Sequence, residues 1–145
     1  MNAPEKVAGS PAQPSARLVM LICWWLLRLQ WRRRESIPLL LERMAGWASF
    51  SSSPEPEAVA GALRRVFRVA RRVPGLWSSC IPRALIAAAL LRGRSGAVLR
   101  IGLSRRPGAD GHAWFCIGER VLLPEDREWL AREPHVVAES LPLGP

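Results

Sequence analysis

The stretch "LWSSCIPRALIAAALLRGRSG", Leu76 to Gly96, places a cysteine where a helix should begin. A thiolate at a helix N-terminus faces unpaired backbone N–H groups and the positive end of the helix dipole. Both lower its pKa and make it a better nucleophile. The small residues of "GLWSS" leave the approach to Cys80 open. Downstream, "GHAWFCI" puts His112 directly after a glycine, on an expected strand. An imidazole within hydrogen-bond reach of a thiol stabilises the thiolate and then protonates a leaving amine. The other histidine, His135, lies in a weakly patterned tail. Most lone cysteines are inert packing residues. Cys80 is set apart by its helix end, its open approach and its histidine. Cys116 shares a strand face with His112 and Trp114 but lacks a helix end, and it reads as packing.

A third residue should hold the ring of His112. If Gly118–Glu119 forms a two-residue hairpin turn, Ile117 pairs with Arg120 and His112 falls opposite Glu125. Asp126 follows and would reach the same place after a one-residue bulge. "PED" therefore offers two carboxylates, Asp126 and Glu125. Both could equally be the solvated start of a tail helix. An oxyanion hole would use the backbone N–H of Cys80 and one further donor, with Trp77 N–H and Ser79 as candidates. Thiol chemistry of this kind needs no cofactor and no metal, and none is expected.

Four helices must lead up to this site. The first runs from about Arg17 to Arg33. Pro38 opens a second, through Leu39, Leu40, Leu41, Met44 and Trp47. Ser53 can cap a third, with Pro54 at its first position, ending near Arg72. Its apolar positions Val59, Ala62, Leu63, Val66 and Ala70 repeat at helical spacing. The fourth runs from Cys80 to about Arg92, capped by Ser79 or Ser78. After Gly96 the period changes to that of strands: "AVLRIGLSR", the turn "RPGADG", "HAWFCI", the turn "GE", then "RVLLP". "EDREWLARE" is a short helix candidate and "LPLGP" a loose end. The fold class is α+β: N-terminal helices, then a Cys-bearing helix packed on a small antiparallel sheet.

The 145 residues suit one domain. Residues 1–16 are small, polar and proline-rich, and are expected to be disordered. Residues 17–145 form the domain, with a helical part over 17–72 and the catalytic helix and sheet over 73–145. The net charge is +9, and residues 1–106 hold all of the excess, near +13. Such a field suits nucleic acid, an anionic membrane surface or an acidic partner. No nucleic-acid motif appears and the arginines are spread over several elements, which argues against nucleic acid. Three irregularly spaced cysteines without a CxxC pair exclude a disulfide framework or a zinc knuckle and suggest a reducing compartment, the cytoplasm. The apolar run Leu18–Leu27 is too short for a transmembrane span, and "QWRRRES" after it is no cleavage site. It is read as a helix in the core, at a partner interface or on a membrane surface.

"CIPRALIAAALL", "GAVLRIGL" and "GHAWFCIGERVL" together resemble the leader peptidases of lasso-peptide biosynthesis, in the transglutaminase-like branch of the papain-like cysteine proteases. The resemblance covers about Trp77 to Asp126. It implies a Cys–His–Asp triad. Cys80 and His112 match the motif positions; Asp126 fits the third by residue type and Glu125 by register. Cys116 stands where the family commonly shows an acid. The implied reaction removes the leader from a ribosomally made precursor peptide before macrocyclisation by an ATP-dependent cyclase. A leader-binding module is fused ahead of the peptidase in some relatives. Here residues 1–72 read as disorder and helices, so a separate recognition protein is expected. Trp24, Trp25, Trp31 and Trp47 are candidates for partner contact or for core. Two alternatives stand beside this reading: a transglutaminase-like acyl transferase, and a basic non-enzymatic binding protein.

Overall fold

The computed structural model describes residues 15–47, 53–108 and 110–143. Most of the expected disordered tail, residues 1–14, lies outside them. Ser15 caps the first helix, α1 (Ala16–Gln30), by accepting the Leu18 N–H at 3.2 Å. Leu18, Ile22, Trp25, Leu26 and Leu29 recur every three or four residues and are buried. The chain leaves the helix at Gln30 rather than Arg33, and Glu35 gathers Arg32 (2.8 Å) and Arg43 (3.0 Å) beyond it. Helix α2 (Ile37–Ala45) starts with proline in its first turn. Helix α3 (Pro56–Ala70) begins two residues later than its expected start, with Glu55 at the cap position. The reason is tertiary. Ser53 Oγ donates to the Leu90 carbonyl at 3.4 Å, and Arg94 donates to the Pro54 carbonyl at 3.0 Å. Both tie this segment to the far end of the next helix.

That helix, α4 (Cys80–Leu91), is apolar on every side and buried almost throughout. Such a helix belongs in the middle of a fold. It contacts α1, α2 and α3 as well as two strands of the sheet. Ala84, Ala87 and Ala88 are buried along it, small enough for close approach by its neighbours.

The sheet is antiparallel, in the order β3-β2-β1-β4. β1 (Ala97–Ser104) and β2 (Gly111–Ile117) form its centre. Ile117 pairs with Arg120 across a two-residue turn, as the hairpin argument requires, and Gly118 supplies the positive φ of 59°. The third strand does not run to Pro124 as expected. β3 is only Arg120–Val121, because the chain turns into helix α5 (Pro124–Arg132).

The tail differs most from expectation. Residues His135–Pro142 form a fourth strand, β4, along the open edge of β1. Most of its residues are exposed, so no alternation marks it in the sequence. Pro142 is tolerable there because an edge strand can spare a donor. Leu141 and Pro142, expected in a loose end, pair with β1; residues 144–145 lie outside the described residues.

The four tryptophans divide. Trp25 is wholly buried, Trp24 and Trp31 are exposed, and Trp47 is half-buried with the Arg28 guanidinium 4.4 Å from its ring centre.

Candidate active site

Cys80 is the first residue of α4, and the Ser79 side chain makes no capping bond. The first-turn backbone N–H groups are thus left to whatever approaches the thiol. The backbone of β2 supplies another donor: Ala113 N–H points at Cys80 Sγ, 3.4 Å away. One residue earlier on the same strand, His112 turns its ring toward Cys80. Its Nε2 bonds Asp126 Oδ1 at 2.8 Å, which leaves Nδ1 to hydrogen-bond the thiol. The structure therefore brings Cys80, His112 and Asp126 into one line.

The carboxylate does not arrive as the register count supposed. No strand residue faces His112 from that side, and no bulge is needed. Pro124 starts α5, and Asp126 in its first turn faces back toward β2. Glu125, the alternative, faces α3 and pairs with Arg64 Nε at 3.0 Å. Burial works to raise the Glu125 pKa, but its own backbone N–H and Arg64 outweigh it and hold the carboxyl below its ordinary value.

The sequence reading missed Arg83. It lies one turn along α4 from Cys80, and its Nη2 is 2.5 Å from the same Asp126 oxygen that takes His112. Both members of this ion pair are buried. Such a pair gives each buried charge its counter-charge and fixes the position of the Asp126 carboxylate. An arginine in so apolar a helix, three residues after the cysteine, was the available signal.

Electrostatics favour an ion pair at the thiol. Burial alone would raise the Cys80 pKa. The bond from His112, the Ala113 N–H and the charges of His112 and Arg83 overcome it, and the pKa lies below its ordinary value. Burial alone would lower His112. Its bonds to Asp126 and Cys80 overcome that and raise it from 6.5 to about 9. The same contact lowers the thiol and raises the imidazole, so thiolate and imidazolium favour each other. Cys116 is wholly buried, and burial pushes its thiol up. It has neither the helix end nor the partners of Cys80.

Trp129, also missed, stacks on His112 with ring centres 4.6 Å apart and 16° between planes. It follows Asp126 by three residues, so one turn of α5 brings both to the ring. Trp114 and His135 border the stack, and His135 Nδ1–H donates to the Glu133 carbonyl at 2.8 Å. Gly102 on β1 makes room for this wall. A Cβ there would lie 2.8 Å from the Trp114 ring and 3.3 Å from the Val136 carbonyl. Gly102→Ala is expected to cost about 1–3 kcal/mol of stability by overpacking, a loss of several degrees in a thermal melt.

Trp77 is not free to serve the oxyanion. Its N–H donates to Gln30 Oε1 at 2.5 Å, and its carbonyl accepts from Gln30 Nε2 at 3.1 Å. Gln30 thereby pins the segment leading to Cys80 onto α1. The donors that remain beside the thiol are the Cys80 N–H and its neighbours in the first turn of α4. Among the described residues no three His, Cys, Asp or Glu side chains are grouped to hold a metal ion.

A family model described as "Transglutaminase-like superfamily" matches residues 23–134, a span that includes Cys80, Arg83, His112 and Asp126. No curated protein and no solved structure matches the chain.

Proposed function

The chain belongs to the transglutaminase-like superfamily, and we propose that it is a cysteine peptidase that removes the leader of a ribosomally made lasso-peptide precursor. The observation that carries the peptidase reading is the line Cys80–His112–Asp126, with the thiol at the N-terminus of a buried helix. The motif resemblance around Cys80 and His112 supports the choice of substrate.

The chemistry follows from the geometry. The Cys80 thiolate attacks the carbonyl carbon at the leader–core junction. The charge that develops on the carbonyl oxygen falls beside the first-turn N–H groups of α4. The imidazolium of His112 gives its Nδ1 proton to the departing amine, and the C–N bond breaks. The core leaves with a free N-terminal amine, and the leader remains as a thioester on Cys80. Neutral His112 then takes a proton from water as the hydroxide adds to the thioester carbonyl; the C–S bond breaks, the leader leaves as a carboxylic acid, and the Cys80 thiolate returns beside the imidazolium. Asp126 holds the ring in the tautomer this sequence needs, and Arg83 holds Asp126. A separate leader-binding protein presents the precursor, and an ATP-dependent cyclase consumes the freed amine. The reaction requires a reduced Cys80, which fits the cytoplasm.

An acyl transferase would form the same thioester and resolve it with an amine. Products distinguish the two. A precursor incubated with this protein and its leader-binding partner should yield, by mass spectrometry, one cut between leader and core with incorporation of one water. An amine-linked leader would instead establish acyl transfer. An intact precursor, with the partner shown to hold the leader, would overturn both.

A further inference from the structure

Helix α1 is apolar on two opposite sides. One side fills the core. On the other, Met20, Trp24, Leu27 and Trp31 recur at helical spacing and are 71%, 57%, 54% and 92% exposed. Exposed Val69 and Val73, at the end of α3 and just past it, extend the surface across a groove of about 340 Å³. Arg65 is the one charged side chain lining that groove. Contiguous apolar surface of this kind marks a contact site rather than a solvated face.

The charge along α1 and its end is basic. Residues 17–34 contain Arg17, Arg28, Arg32, Arg33 and Arg34 and no acid. Only Arg32 of these is in an ion pair among the described residues. Arg33 and Arg34 are exposed directly beyond Trp31, and Arg28 lies against the Trp24 and Trp47 rings. Arg65 adds to the rim from α3.

We infer that this face rests on an anionic membrane surface, with α1 lying in the plane of the bilayer. Tryptophan and arginine flanking an apolar stripe are the residues that settle at headgroup level. Anionic lipid headgroups answer the arginines. A protein interface of this extent would also carry direct hydrogen bonds, about one per 100–200 Å². The stripe offers only its two indole N–H groups. No helix among the described residues is long and apolar enough to cross a membrane, so the contact is parallel to the surface. This inference is independent of the peptidase reading.

The test uses the reduced full chain, co-sedimented with vesicles of phosphatidylcholine alone or of phosphatidylcholine with phosphatidylglycerol. The chain is expected to partition about tenfold or more strongly onto the anionic vesicles. The double variant Trp24→Gln/Trp31→Gln, with an unchanged circular dichroism spectrum, is expected to lose about tenfold of that binding. Equal binding by the double variant would overturn the proposal, because the arginines alone would then account for it. No binding of the native chain to anionic vesicles would also overturn it and leave the face to an acidic protein partner. Because the readout is lipid partition, a failed peptidase assay would leave this result standing.

Discussion

Cys80→Ala is expected to lower precursor cleavage by about 10⁵-fold or more, to the rate left by binding and the helix end alone. No other group can take over the attack. Cys116 is wholly buried in β2, and Cys23 is exposed on α1, outside the cluster around His112. Cys80→Ser should be nearly as inactive, since an alcohol beside the same imidazole is far harder to ionise than the thiol. Alanine fills the site without strain, so the thermal melt should be unchanged or slightly higher; active sites commonly sacrifice stability for reactivity. A direct check needs no substrate. Iodoacetamide at neutral pH should modify Cys80 first, even though Cys23 is the more exposed thiol, because the attacking species is the thiolate. Faster modification of Cys23, or turnover by Cys80→Ala within about tenfold of the native rate, would remove the nucleophile from the mechanism.

Some of this was legible from residue order and some was not, and burial separates the two. Cys80 stood out because its position depends on local rules. A run of small residues followed by an apolar helix predicts where the helix begins, and α4 begins there. The hairpin carrying His112 was equally local: Gly118–Glu119 between apolar runs pairs Ile117 with Arg120. The carboxylate was harder. Counting along a strand assumed that the strand continued, whereas it ends at Val121 and Pro124 starts α5. Proline removes a ladder donor and suits a first helical turn, so that signal favoured the helix. Arg83 was missed because arginine usually lies on the surface, and only the fold shows the buried Asp126 that pairs with it. β4 was missed because an exposed edge strand has no second face to bury and therefore no period.

The change from strand to helix at Pro124 gives the second large effect. Asp126→Ala should lower cleavage by about 10³–10⁴-fold, and Glu125→Ala by less than about threefold. The two carboxylates are adjacent in sequence but face opposite ways. Asp126 holds Nε2 of His112 at 2.8 Å, whereas Glu125 holds Arg64 at 3.0 Å on a half-exposed surface. Removing Asp126 also leaves Arg83 buried without its counter-charge, so Asp126→Ala should lose about 3–5 kcal/mol of stability. Asp126→Asn separates the two effects. It keeps the shape and a hydrogen bond but removes the charge that helps raise His112. The ring's pKa should then fall from about 9 toward its ordinary 6.5. In the native chain activity should span the window in which Cys80 is already ionised and His112 still protonated, with a basic limb near pH 9. The sign for stability is the same. A histidine whose pKa is raised on folding contributes fully below about pH 6.5, and that contribution is lost as pH rises through about 9. Asp126→Asn should therefore draw the basic limb of the pH–rate profile toward neutrality and flatten the loss of stability between pH 6.5 and 9. Glu125→Ala should leave both curves in place. If Glu125→Ala moved the basic limb and Asp126→Asn did not, the ring of His112 would be held by Glu125, and the line Cys80–His112–Asp126 would not be the working one.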